Sequence, residues 1–155
     1  MTDPIDIERI RLSPLLVGLH DVELQALVNA GHPVTYEADS IVVKEGSPGD
    51  ALYHLRDGEV RVEKEVEGAD SVELAVLGES GSFFGEMVFV DVMPRSATVR
   101  TTRQTNVLAF PLEVLHDFFR SFGDARQTIL LNIARELSKR LRQADVVIAG
   151  LKSRA

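Results

Sequence analysis

The chain has 155 residues, 45% of them hydrophobic, which suits one domain with a buried core, since globular domains commonly run to about 100 to 200 residues. A formal charge of -7 and a pI near 5.1 argue against a broad nucleic-acid surface, which must neutralise many phosphates with Lys and Arg. The absence of cysteine excludes disulfides, thiol catalysis and thiolate metal sites. No apolar run approaches the roughly 20 residues of a spanning helix. The start, Met1-Thr2-Asp3-Pro4, lacks the basic residues of a signal peptide. The expectation is a soluble, cytoplasmic chain with no membrane span.

In chain order, residues 5–12 carry Ile5, Ile7, Ile10 and Leu12 among charges and predict a short helix before the Ser13-Pro14 break. Asp21 is the expected cap of a second helix over 22–29, with Val22, Leu24, Leu27 and Val28 on its apolar side and Gly31 as its stop. From about residue 34 to 110 the pattern changes to short β-rich runs, including 40–44, 52–56, 60–62 and 72–77, separated by turn residues. Asp57-Gly58 and Glu67-Gly68-Ala69-Asp70 are the expected hairpin connections. Alternation of Val72, Leu74 and Val76 with Glu73 and Ala75 predicts one buried face, and Arg61, Glu63 and Glu65 are expected to solvate the preceding strand. Such spacing suggests a sandwich or barrel.

After Pro111 the pattern returns to helix. Leu112, Val114, Leu115, Phe118 and Phe119 form one element, and Phe122-Gly123-Asp124 makes a break with Asp124 as the next N-cap. In the final helix, Leu130, Ala134, Leu137, Leu141, Ala144, Ile148 and Leu151 recur at alternating steps of four and three, a heptad seam. The seam predicts a homodimer, and the competing expectation is that it packs on the β-domain.

The chemistry concentrates in Phe84-Gly85-Glu86-Met87 and Arg95-Ser96-Ala97-Thr98, joined by a mostly apolar stretch. Gly85 and Glu86 open the run 87–90, which suits one helical turn whose free N-H groups favour an anion. The Arg95 guanidinium matches two phosphate oxygens, while Glu86 offers only acceptors and suits a sugar hydroxyl. A phosphate beside a ribose satisfies both. These residues resemble the cyclic nucleotide-binding domains of bacterial transcription factors, cyclic-nucleotide-dependent kinases and gated channels. The resemblance extends upstream through Glu45-Gly46-Ser47-Pro48-Gly49-Asp50 and Leu52-Tyr53-His54-Leu55-Arg56-Asp57-Gly58. It covers roughly residues 15 to 145.

The resemblance implies an α+β domain filling 1–155, with N-terminal helices, an eight-stranded jelly-roll β-barrel over about 34–110, and helices over about 111–151 ending in one long C-terminal helix. It implies a ligand site at Phe84, Gly85, Glu86, Met87, Arg95, Ser96 and Ala97. Glu86 would take the ribose 2′-hydroxyl and Arg95 the cyclic phosphate, with cAMP favoured over cGMP because cGMP-selective kinase domains tend to have Thr where Ser96 stands. The family alignment also places Arg140 where a residue folds over the base. Read instead in the heptad, with Ala134, Leu141 and Ile148 at a, Arg140 falls at g and faces Asp145 at e in an interhelical ion pair. Val88 and Val92 stand where the family has a small residue and Gly or Asn, which touches the cassette helix and not its ligands.

The expected function is therefore a cyclic-nucleotide sensor, not an enzyme, that couples binding to movement of its final helix. The other serious reading is a ligand-free jelly-roll module that docks or dimerises, with Glu86 and Arg95 as a structural ion pair. His20, His32, His54 and His116 form no metal-ligand pair and are expected at the surface or satisfied; neither a metal site nor a catalytic nucleophile with a base is expected. Only 15 residues follow Arg140, too few for the helix-turn-helix of the transcription-factor members. Output is expected through the final helix to a partner, or within a larger regulated protein.

Overall fold

The structure, a computed structural model, describes residues 7–78, 81–86 and 94–154. Two short N-terminal helices, α1 (Ile7–Arg11) and α2 (Asp21–Ala30), precede the strands β1 (His32–Tyr36), β2 (Ile41–Val43), β3 (Ala51–Asp57), β4 (Val60–Lys64), β5 (Val72–Leu77), β6 (Phe83–Phe84), β7 (Thr98–Thr101) and β8 (Thr105–Pro111). Helices α3 (Leu112–Ser121) and α4 (Gly123–Ser153) follow. All pairings are antiparallel and give two four-stranded sheets, one ordered β1-β8-β3-β6 and the other β2-β7-β4-β5. The expected closed barrel is not formed. Each sheet keeps two edges, because β1, β6, β2 and β5 each pair on one side among the described residues.

Sequence pattern explains the layers. In β3 and β8 successive side chains point to opposite faces, and both faces are covered. Leu52, Leu108, Phe110 and Phe83 pack outward against Leu24, Leu27, Leu115, Ile129 and Ile133 of the helices. Leu55, Val107 and Phe84 pack inward against Val43, Val60 and Val99 of the second sheet. Strands β3 and β8 thus form a buried middle layer, with β1 largely exposed at the edge of the sheet.

Several local expectations shift. Helix α2 is capped by His20, not Asp21: the His20 N-H donates to Glu23 Oε1 at 2.9 Å, and the His20 carbonyl starts the helical ladder. Helix α4 starts at Gly123 behind Phe122, so Asp124 lies in its first turn, where its charge still suits the helix dipole. Strand β5 does not bury Val72, Leu74 and Val76, which are 45%, 57% and 47% exposed. Its register sets Leu77 and Ala75 opposite Val60 and Val62, leaving Val76 beside Arg61 on the outer side of an edge strand. Glu63, expected in solvent, is buried and paired with Arg61 and Arg100. His54 is neither at the surface nor satisfied: it is buried behind the helices, and its Nδ1 has no hydrogen-bond partner.

Helix α4 presents two stripes. Ala125, Ile129 and Ile133 pack into the helix-side core, and Asn132 Nδ2 reaches across to the carbonyls of Leu15 at 2.9 Å and Val17 at 2.8 Å. The heptad seam overlaps this stripe at Leu137, which is half-buried against the same core. Leu141, Ile148 and Leu151 are exposed, so this part of the seam does not pack on the sheets.

Candidate functional site

The two halves of the cassette meet at the end of β3. Phe84 lies in the space between the sheets, its ring stacked on Tyr53 with centroids 5.1 Å apart. Gly85 follows at φ +81°, and a Cβ there would stand 2.9 Å from Arg95 Nη1 and 3.0 Å from the Ala51 carbonyl oxygen. Only glycine reconciles that φ with so close an approach. Glu86 is buried.

Arg95 is set from both directions. Its backbone N-H donates to the Ser47 carbonyl and its carbonyl accepts from Gly46, each at 2.8 Å, so the turn 45–50 acts as a platform. The guanidinium, 8% exposed, donates from Nη2 to the Ala51 carbonyl at 2.7 Å and from Nη1 to the Gly85 carbonyl at 3.1 Å. Asp50 stands 3.7 Å from Nη2, with its side chain 83% exposed. Next to it Ser96 is exposed and Ala97 half-buried. Lys64 ties the segment before β7 by donating to the Ser96 carbonyl at 2.7 Å and to Glu45 Oε1 at 2.9 Å. The Glu65 backbone N-H, and then Lys64, hold the Glu45 carboxyl below its usual range.

Glu86 and Arg95 do not form an ion pair with each other. Glu86 Oε1 instead accepts from Arg140 Nη1 of α4. Arg140 is therefore engaged within its own chain, in line with Ile133 one heptad earlier. A cavity of about 610 Å³ adjoins this contact, walled by Leu15, Leu77, Phe83 and Ile133 and bounded by Glu86 and Arg140. Tyr36 and Tyr53 are half-buried near Asp50, and burial pushes both hydroxyls up.

Of the expected site residues, Phe84, Gly85, Glu86, Arg95, Ser96, Ala97 and Arg140 fall within the described residues, and Met87 lies outside them, as does the run 87–90 expected to be a helical turn. Sequence reasoning missed Ala51 and Lys64. Ala51 contributes only a carbonyl, which any residue supplies. Lys64 is 32 positions from Ser96, and nothing in its neighbourhood marks it.

Comparison with known proteins gives a consistent outcome. The cyclic nucleotide-binding domain family matches residues 33–122. A cAMP-dependent protein kinase regulatory subunit of Aspergillus fumigatus is 38% identical over 87 residues, covering 56% of this chain and 20% of that protein. Glutaminase 1 of Bradyrhizobium diazoefficiens is 34% identical over 140 residues, covering 90% of this chain and 22% of that protein. The chain thus spans about a fifth of these curated relatives. The crystal structure of Thermus thermophilus catabolite activator protein superposes with a TM-score of 0.77 at 31% identity, over 90% of this chain and 63% of that one. With more than half of its residues matched and its two sheets followed by a long helix, the chain belongs to the cyclic nucleotide-binding domain family.

Proposed function

We propose that this domain is a cyclic-nucleotide sensor that takes cAMP in preference to cGMP. The observation that carries the reading is Arg95: a buried guanidinium whose hydrogen-bond partners among the described residues are two uncharged carbonyls, with the exposed carboxylate of Asp50 at 3.7 Å. A buried cation calls for a close anion, and the planar fork suits a phosphate. Glu86 supplies the acceptor for a ribose 2′-hydroxyl, with Phe84 and Gly85 shaping the approach to it and Ser96 and Ala97 beside the phosphate. The eight strands in their two sheets are read as the jelly-roll frame that holds this pocket. The cAMP named in the kinase relative favours adenine.

The output is proposed to run through α4. Its exposed seam, Leu141, Ile148 and Leu151, fits a homodimer or a regulated partner, and the sensor would serve a larger assembly as one regulatory unit. No catalytic role is proposed for it. Titration calorimetry of nucleotide-stripped protein with cAMP, cGMP and the linear AMP and GMP tests the reading. Saturable heat with the cyclic forms alone supports it, a marked cGMP preference overturns the base assignment, and no heat at high concentration favours a ligand-free dimerisation module.

A further inference from the structure

Strand β4 follows β7 as far as Glu63, which faces Thr98. Continued two residues further, that antiparallel register would set Glu65 opposite Ser96. Side chains are inserted there instead. The Glu65 N-H donates to Glu45 Oε2 at 2.9 Å, Glu45 Oε1 accepts from Lys64 Nζ at 2.9 Å, and the same ammonium donates to the Ser96 carbonyl at 2.7 Å. The Glu45 N-H in turn donates to Thr98 Oγ1 at 3.0 Å. A carboxylate and an ammonium thus stand as one rung between two backbones.

The rung meets the cassette at a defined point. Arg95 is tied to the turn 45–50 through its N-H and its carbonyl, and Lys64 adds a third tie at the next carbonyl. A trans peptide points its C=O and N-H in opposite directions, and no described peptide bond is cis. With the Ser96 carbonyl drawn to Lys64, the Ala97 N-H is turned away from that ammonium.

We infer that Lys64 is a positioning residue for the anion: with Glu45 it fixes the Ser96-Ala97 peptide, so that the donors of this segment meet the two exocyclic phosphate oxygens in set directions. This rests on the cyclic-nucleotide reading above and adds to it one residue of β4 and one of the turn 45–50. Lys64 acts through the Ser96 carbonyl and not through its charge, because the bonded Glu45 carboxylate offsets that charge at a distance and salt screens what remains over about 8 Å. The distinction has a sign. Long-range attraction for a phosphate falls on loss of Lys64 and rises on loss of Glu45, whereas a rung that positions the peptide fails on loss of either.

The test titrates wild type, Lys64→Met, Lys64→Arg and Glu45→Ala with cAMP and with the two diastereomers of its phosphorothioate analogue, in which sulfur replaces one or the other exocyclic oxygen. The unfolding midpoint of each variant checks its stability. The expected result is a loss of about three- to tenfold in cAMP affinity in Lys64→Met and Glu45→Ala alike, the net worth of one hydrogen bond. The affinity ratio of the diastereomers should move towards one in both, with recovery in Lys64→Arg. Unchanged or tighter cAMP binding in Glu45→Ala overturns the proposal in favour of a charge effect. An unchanged diastereomer ratio in Lys64→Met, with or without a loss of affinity, overturns it in favour of a tie that serves the fold alone. If Lys64→Met does not fold, Glu45→Ala carries both readouts. Failure of wild type to bind any cyclic nucleotide is a different outcome, which removes the sensor reading and the role of Lys64 with it.

Discussion

At Gly85 two requirements coincide, a left-handed backbone at φ +81° and a van der Waals gap already filled by Arg95 and the Ala51 carbonyl. Gly85→Ala is therefore expected to cost roughly 1 to 2 kcal/mol in backbone strain and to push the guanidinium aside. Cyclic-nucleotide affinity should fall by more than the stability change explains, as comparison of calorimetric affinity with the denaturation midpoint would show. Arg95→Ala should weaken cAMP binding by about 10- to 150-fold, the equivalent of about 1.5 to 3 kcal/mol for a lost charged hydrogen bond. Arg95→Lys should recover little, because an ammonium cannot hold the Ala51 and Gly85 carbonyls and fork a phosphate at once. Wild-type affinity in Arg95→Ala would remove the phosphate assignment. His54 supplies a pH test. Burial first, then the nearby positive charges of Arg56 and Arg9, lowers its pKa to about 4. The unfolded chain binds a proton near pH 6.5 that the folded chain refuses, so stability is fully present above pH 6.5 and declines as pH falls towards 4. Over that window the loss is about 3 kcal/mol. Denaturant unfolding at pH 7.5 and 5 should show a smaller drop in His54→Phe than in wild type, and identical drops would mean that His54 takes up a proton when folded.

Helix α4 divides its tasks along its length. Ala125, Ile129 and Ile133, with half-buried Leu137, hold its first part to the sheets, while Leu141, Ile148 and Leu151 further on remain exposed. Leu141→Lys with Ile148→Lys is expected to abolish self-association in sedimentation while leaving the unfolding midpoint of dilute protein nearly unchanged. Dimers persisting in the double variant would place the interface elsewhere. The seam spacing was legible because its heptad period survives in the pattern, although the stripe Ala125, Ile129 and Ile133 that meets the core was not read from it. Strand β5 shows the opposite case. Its alternation was visible but its direction was not, because a strand's facing depends on register with β4, and Val60 opposite Leu77 turns Val72, Leu74 and Val76 outward. Glu63 failed for a similar reason. Burial raises its carboxyl, but the Arg61 hydrogen bond at 2.7 Å and Arg100 from β7 bring it below the usual range, and Arg100 is 37 positions distant. The site motif was legible because its glycine, acid and arginine sit within eleven residues, whereas the Arg140 partner of Glu86 and the Asn132 tie arise only from tertiary packing.

Across the molecule the apolar interior is divided unequally. The helix-facing side of the first sheet gathers Leu24, Leu27, Leu52, Leu108, Phe110, Leu115, Ile129 and Ile133, all nearly inaccessible. The space between the sheets is finished instead by half-buried Val34, Tyr36, Val42, Tyr53, Val62 and Leu77. Amide exchange is expected to be slowest in β3 and β8 and faster in β4 and β5, with cAMP narrowing the difference. Equal protection in all four strands without ligand would contradict that division. The middle layer thus works as a partition wall. The near-inaccessible side chains are concentrated on the helix side, while the space between the sheets is closed in part by half-buried ones. An inherited change at those half-buried positions therefore costs less packing than one behind the wall, and there the lineage can vary without first acquiring surplus stability.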